Sequence, residues 1–295
     1  MGVLFGLLTA LAWGSSDFSA RFAARRIGSL RTTLYMQFTG LILLTLCLRW
    51  VGGWGHLFDG SGWQPWAWGV LAGIFNGVAS LALYRSFEVG KMSVVAPLSA
   101  SYPALTVALS FFSGERLTAL RIAGIVLIVA GVIFVARGES AAAPTKNTAT
   151  AASAGRTSDG VSWAFVSAVG FGILFWLLGI RIVPAVGFAA TVWMIRLTSS
   201  MLTAAVVLAG KQTLVPPREM PVAGLLLSMG ILDTGAFILN NRGMQLEQVS
   251  VVSVLASLYG AVTVLLAAIF LRERLARWQW LGIAAIFAGI ALISR

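Results

Sequence analysis

Three ionisable side chains, Asp17, Arg196 and Asp233, stand inside long apolar runs, where charge is expensive. A charge at the centre of a bilayer costs about 2.5 to 3.5 kcal/mol on insertion scales, so each is expected to face a bundle interior or a water-filled cavity, with a partner. Asp17 follows Trp13 and precedes Arg21 by one helical turn each, which puts the three on one face. Asp17 and Arg21 are therefore a candidate pair, for coupling and gating or for structure alone. Arg196 has no acid in its own run. It could pair with Asp233 on the next helix, or receive an anionic group of a ligand through its planar fork of donors. Asp17 or Asp233 could also exchange a bound proton for a bound solute. Tyr102-Pro103 and Tyr259-Gly260 fall at the centres of two further runs. Pro removes a backbone donor and Gly permits close approach, so both centres can turn backbone polar groups and a tyrosine towards a cavity. Ser99, Ser101, Ser253 and Ser257 lie within two turns and could bond a solute or their own helix carbonyls. Asn240 and the deeper tryptophans Trp13, Trp176 and Trp193 complete the candidate lining; Trp50, Trp54, Trp63, Trp66, Trp68, Trp278 and Trp280 lie at run ends and read as interfacial anchors.

Other chemistries fail on the residue count. The single histidine, His56, sits in a glycine-rich loop and the single cysteine, Cys47, in an apolar run. That excludes a Ser-His hydrolase or bis-His metal site within a bundle, an intrachain disulfide and a cysteine-ligated metal. No cofactor, metal or enzymatic activity is expected, and Cys47 reads as packing. Asp17 and Asp233 have no flanking pattern of a paired-carboxylate protease.

The elements that must position these residues are membrane helices. Hydrophobic residues make up 58% of the 295 and charged residues 11%, with a mean hydropathy of +0.89, too little polar surface to cover a soluble globule. A helix needs about 20 apolar residues to span the hydrocarbon. Ten runs qualify, at about 3–23, 32–50, 66–86, 92–112, 119–137, 161–181, 188–209, 221–241, 249–271 and 276–294. The first is expected to be retained rather than cleaved, since no basic n-region precedes it. Residues 138–160 are small and polar, the composition of a flexible linker.

The second half repeats the first. Residues 93–107, SVVAPLSASYPALTV, lie over 250–264, SVVSVLASLYGAVTV, at an offset of 157; Glu115-Arg116-Leu117 returns as Glu273-Arg274-Leu275, Gly124 as Gly282 and Gly131 as Gly289 at 158. At the first offset Asn76 meets Asp233, a polar pair at mid-run that serves a solute or bonds helix to helix. At the second, Arg196 meets Phe38. Five runs per half is an odd number, so the halves must sit inverted in the bilayer, the arrangement of carriers that bind solute at the midplane between repeats. The loops on one side hold fourteen Lys and Arg and those on the other six, which places both termini outside the cytoplasm and explains the net charge of +11 without nucleic acid. The glycine spacings Gly69, Gly73, Gly77 and Gly124, Gly131 read as helix packing.

In these residues the chain resembles the EamA family of the drug/metabolite transporter superfamily. The most specific stretch is Tyr84 to Val135, with its central Tyr102-Pro103, the Gly114-Glu115-Arg116-Leu117 turn and a glycine-spaced closing helix; Ala12-Trp13-Gly14-Ser15 also looks like the family's opening helix, and Gly260 departs from the pattern where the first unit has Pro103. The resemblance implies an all-α membrane protein of ten helices around a central cavity: one unit over 1–137, a linker over 138–160 and a second unit over 161–295. It further implies a carrier in the cytoplasmic membrane that moves a small metabolite, such as an amino acid, by alternating access, often as export; two complete units make one chain self-sufficient, so a monomer is expected, and the proton is one candidate coupling ion beside uniport or exchange. A drug, organic-cation or sugar carrier of the same fold is the alternative, and a channel or scaffold protein the different class. Arg196 is expected to be essential for transport and dispensable for folding.

Overall fold

The computed structural model describes residues 1–90, 95, 98–137, 152–211, 220–270 and 277–293, and no strand occurs among them. In chain order the helices are α1 (Gly2–Ile27), α2 (Ser29–Val51), α3 (Gln64–Val89), α4 (Pro103–Phe112), α5 (Ala119–Arg137), α6 (Ala152–Leu177), α7 (Phe188–Ala209), α8 (Met220–Leu246), α9 (Val249–Ala256), α10 (Tyr259–Phe270) and α11 (Arg277–Ile293). Six of them, α1, α2, α3, α6, α7 and α8, are long and apolar enough to cross a membrane. Their outer faces carry apolar stripes at helical spacing, Leu4, Leu8 and Leu11 on α1 and Val70, Ile74 and Val78 on α3, all exposed. Water would not tolerate such stripes on a monomer, and lipid does. The protein is a multi-pass membrane protein.

Two expected spans are broken at mid-depth. The fourth run turns at Ala100 to Tyr102 before α4 starts on Pro103, and the ninth divides into α9 and α10 around Ser257 and Leu258. Broken backbone survives in a membrane only where protein covers it, and Ala100, Tyr102, Ser257 and Leu258 are all buried. The Tyr102 hydroxyl donates to the Ser253 carbonyl at 3.0 Å, so one break is tied to the other. The sixth run is longer than expected. It begins inside the supposed linker, at Ala152, and passes through a π-helical turn, Leu178–Ile182, into a last turn at Val183–Val186. Pro184 accounts for the wide turn, since its ring clashes with the carbonyl one turn back and it offers no N–H. Residues 138–151 lie outside the described part.

Helices from the two halves interleave: α1 packs on α8, α6 on α3, α2 on α7, and α5 on α11. Small residues permit this. A Cβ at Gly69 or Gly73 would strike Met194 or Thr198 on α7, and one at Gly77 would meet Leu202. On the α5–α11 contact the approach is reciprocal, with the Gly282 carbonyl 2.7 Å from a Cβ at Gly131 and the Gly124 carbonyl 2.7 Å from one at Gly289. The junctions α1–α2 and α6–α7 turn through Gly28 (φ 84°) and Gly187 (φ 93°), the positive-φ region that glycine enters without strain. Those glycines are 159 apart (187 − 28), and in that register Arg196 corresponds to Gln37 rather than Phe38. Phe38 faces outward and half-exposed. Cys47 is exposed too, on the lipid side of α2, and not a packing residue.

The reciprocal glycine contact gives a first test. Gly131→Val overpacks the α5–α11 seam and is expected to destabilise the protein by about 1 to 3 kcal/mol, read as a lower Tm in detergent. Gly224→Ala, where a Cβ meets nothing within 4 Å, is expected to leave the Tm unchanged.

Candidate functional site

Each of four helices offers a pair of residues one turn apart to a single hollow: Trp13 and Asp17 on α1, Ser80 and Tyr84 on α3, Phe171 and Phe175 on α6, Asp233 and Phe237 on α8. Residues at i and i+4 share a helix face, so these pairs define the inner face of each helix. Leu83 and the two tyrosines at the broken helices, Tyr102 and Tyr259, complete the lining. The cavity has a volume of only about 30 Å³. It is contracted, and a solute must widen it.

The walls are an aromatic network. Trp13 stands edge-on to Phe237 at 5.1 Å and to Tyr259 at 6.4 Å, and tilted against Phe175 at 5.3 Å; Tyr102 lies 4.9 Å from Phe175. Edge-to-face pairs at such distances are favourable beyond their buried area. The Tyr259 hydroxyl is buried with no hydrogen-bond partner among the described residues.

Charge is distributed unevenly. Arg196 is fully buried on α7 and protein groups hold its guanidinium: Nη2 donates to Asp233 Oδ2 at 2.5 Å, Nη1 donates to Gln37 Oε1 at 2.5 Å, and its carbon lies 5.2 Å over the Phe237 ring, while Nε has no hydrogen-bond partner among the described residues. The absent Cβ of Gly40 leaves room for it; a methyl group there would strike Thr234 and crowd Arg196. Of the two roles open to Arg196, pairing with Asp233 is the one observed. Asp17, in contrast, is buried and has no hydrogen-bond or ion-pair partner among the described residues. Arg21 does not reach it, although the spacing made the two a candidate pair.

Other expected site residues lie elsewhere. Asn76 is buried in the α3–α7 contact, where Nδ2 donates to Ser199 Oγ at 3.2 Å and Ser199 Oγ donates in turn to the Gly73 carbonyl at 2.8 Å. Its amide joins helices, the role available to any polar side chain in lipid. Asn240 points along α8 towards Met244, Ser257 bonds the Val254 carbonyl, and Ser99 is buried; none of the three lines the cavity. Trp176 and Trp193 are not deep. Trp176 Nε1 donates to Ser113 at 2.9 Å, and Trp193 Nε1 donates to Thr45 at 2.8 Å while its ring joins Trp54 at 5.2 Å. Both sit near the end of the bundle that holds the N-terminus, Trp193 in the first two turns of α7 and Trp176 beside the residue that ends α4. Tyr84, Phe171, Phe175, Phe237, Ser80 and Gln37 were missed; the i, i+4 spacing from Asp233 to Phe237 was the available signal.

That same end is closed by polar contacts between halves. Arg121 Nη1 donates to Glu247 Oε1 at 2.8 Å and to Gln248 Oε1 at 2.7 Å, and Glu115 accepts from the Ser250 hydroxyl at 2.8 Å and its N–H at 3.3 Å, capping the start of α9. Glu115 thus caps a helix of the other half; Glu273 and Arg274 lie outside the described residues. Glu247 lies outside the spans. Its partial burial would raise its carboxyl, but the Gln248 N–H and the Arg121 guanidinium outweigh that and hold it below the usual glutamate range.

Membrane-crossing helices closed around a polar and aromatic hollow define a transporter-type membrane protein. The sequence model of the EamA-like transporter family matches residues 1–137 and 158–295, and the chain belongs to that family, within the drug/metabolite transporter superfamily. A stretch of 132 residues, 44% of the chain, is 32% identical to an uncharacterized protein of Methanocaldococcus jannaschii and covers 93% of it. A solved crystal structure superposes with a TM-score of 0.74 at 20% identity, over 99% of this chain and 95% of that one, a likeness of fold.

Arg196 bridges α2, α7 and α8, so it supports the fold as well as any site. Arg196→Ala leaves Asp233 buried and unpaired and is expected to cost about 3 to 5 kcal/mol, against the sequence-based expectation that folding is spared. Thermal unfolding in detergent measures it, and an unchanged Tm would show that the pair carries no stability.

Proposed function

We propose that the protein is a secondary carrier that moves a small metabolite across the cytoplasmic membrane by alternating access. Its halves, 1–137 and 161–295, act as inverted five-helix repeats joined by the intervening segment, and one chain suffices. The observation that carries this reading is a single cavity whose walls come from both halves: Trp13, Asp17, Ser80, Tyr84 and Tyr102 from the first, Phe171, Phe175, Asp233, Phe237 and Tyr259 from the second. Rocking one half against the other would open that point to either side. The offset repeat, the family match in two segments and the interleaved packing support it.

The closed end supports a direction. The Lys and Arg count puts that end, with both termini, outside the cytoplasm, so the cavity loads from the cytoplasmic side and the Arg121–Glu247 contact is the outer latch. Export follows. The solute is amino-acid-sized and amphipathic, in keeping with rings and carboxylates around a narrow hollow. A pore is disfavoured by the contracted cavity, and an enzyme by the lack of any nucleophile–base pair among the lining residues.

Proteoliposomes preloaded with a metabolite panel test the carrier. Saturable uptake with counterflow is expected; non-saturating flux would indicate a channel, and no flux over a broad panel a scaffold. Glu247→Gln is expected to weaken the latch and raise the reactivity towards impermeant thiol reagents of a cysteine placed at Val249, which is buried beside the latch, on a Cys47→Ser background. The pH sign follows from the lowered carboxyl: the contact is intact above the ordinary glutamate range and is lost as pH falls through the depressed value. Relative to an exposed reference cysteine at Gln245, which corrects for the falling thiolate fraction, reactivity with Glu247 intact should therefore rise only in acid, and that of Glu247→Gln should be high throughout.

A further inference from the structure

The central hollow is not the only opening built by both halves. A groove of about 780 Å³ lies on the flank of the bundle, at the end that holds the N-terminus, where the start of α3 meets the π-helical turn and the last turn that close α6. Ala67 and Leu71 form its floor on α3, a row that continues at Ile74 in the exposed apolar stripe, so the groove opens onto lipid. Ile180 and Pro184, one turn apart, form the apolar wall opposite. Its polar groups are Arg181, Gln64 and the indole N–H groups of Trp63 and Trp68. No acid lines the groove, and Arg181, although exposed, has no hydrogen-bond, ion-pair or ring partner among the described residues. The tryptophans repeat that contrast. Trp66, Trp176 and Trp193 give their N–H groups to protein oxygens, whereas Trp63 and Trp68 give theirs to none among the described residues.

Depth makes Arg181 the focus. The span Gly160–Val186 has 27 residues, about 40 Å of helix against about 30 Å of hydrocarbon, so each end projects about 5 Å into the headgroups. Arg181 stands five residues before that end (186 − 181), about 7 Å back, at the boundary where phosphate and glycerol groups meet the acyl chains. A guanidinium there, facing lipid and without an acid, is costly unless an anion answers it. We propose that the groove seats one anionic phospholipid of that leaflet. Its phosphate takes the planar fork of Arg181, its headgroup takes the Gln64 amide and the free indoles, and one acyl chain lies along Ala67, Leu71 and Ile74. A zwitterionic lipid brings its own cation beside Arg181, and a soluble anion brings nothing to cover the apolar floor. Because α3 comes from the first half and α6 from the second, the seated lipid also braces the two at the closed end. The site stands apart from the central hollow and does not depend on what that hollow carries.

Native mass spectrometry of the delipidated protein in detergent tests the proposal by titration with dioleoyl phosphatidylglycerol, dioleoyl phosphatidylcholine and inorganic phosphate. One phosphatidylglycerol per chain is expected to bind at least about tenfold more tightly than phosphatidylcholine of the same chains, and inorganic phosphate should not bind at the same concentrations. Arg181→Gln should erase that preference. Arg49→Gln, which removes an exposed charge at the same end but outside the groove, should keep it. Ala67→Phe fills the floor without touching a charge and should weaken both lipids at least about tenfold; it decides the matter should Arg181→Gln fail to fold. Five results overturn the proposal: equal affinity for the two lipids, a preference that survives Arg181→Gln, a preference lost equally in Arg49→Gln, inorganic phosphate binding as tightly as the lipid, or a dimer that excludes phosphatidylglycerol and dissociates in Ala67→Phe.

Discussion

A guanidinium with no exposed surface in the middle of a membrane protein needs a counter-charge, and the Arg196–Asp233 pair, completed by Gln37, is the contact on which the rest of the bundle depends. Such a pair is weak evidence for stability in itself, because desolvation offsets much of its attraction. Its consequence is geometric. It requires α2, α7 and α8 to meet at one point, with Gly40 making room, and it turns the face of α8 that bears Phe237 inward. The pair draws Asp233 towards Arg196, and the other acid of the cavity wall, Asp17, has no ion-pair partner among the described residues.

The broken helices do complementary work. Continuous helices satisfy all their backbone groups and offer a cavity only side chains, whereas interruption at Tyr102 and at Ser257 frees backbone at mid-depth. The bond from Tyr102 to the Ser253 carbonyl links the two interruptions across the halves. Movement of one half against the other must therefore strain or exchange that bond, while the glycine seam of α5 and α11 provides close backbone contact along which helices can slide.

Much of this was legible in the sequence. Apolar run length alone placed the helices, since a bilayer leaves few alternatives, and the Tyr-Pro and Tyr-Gly centres announced the breaks. The inward faces were half-legible: Trp13 with Asp17 marked one, but Phe171 with Phe175 and Phe237 after Asp233 look the same as lipid-facing apolar residues until a partner helix covers them. Asn76 misled because a mid-helix amide bonds a neighbouring helix as readily as a solute, and nothing local distinguishes the two. Trp176 and Trp193 misled because a tryptophan inside an apolar run looks the same whether it faces a cavity or bonds a neighbouring helix near the bundle's end: Trp193 lies in the first two turns of α7 and Trp176 reaches Ser113 at the end of α4. Residues 152–160, small and polar, read as linker yet are helical from Ala152; Ala, Ser and Gly in a row do not reveal that the helix below them extends upward.

The central claim is that one hollow, walled by both halves, is reached from each side of the membrane in turn. The most direct measurement places a single cysteine at Ser80, in the cavity wall, on a Cys47→Ser background, and labels it with a membrane-impermeant thiol reagent from either side of sealed vesicles. The account predicts labelling from both sides, with each side's rate falling as a saturating substrate or a crosslink across the Arg121–Glu247 contact holds the other side open or closed. Labelling from one side only, whatever the conditions, or none from either, would contradict it.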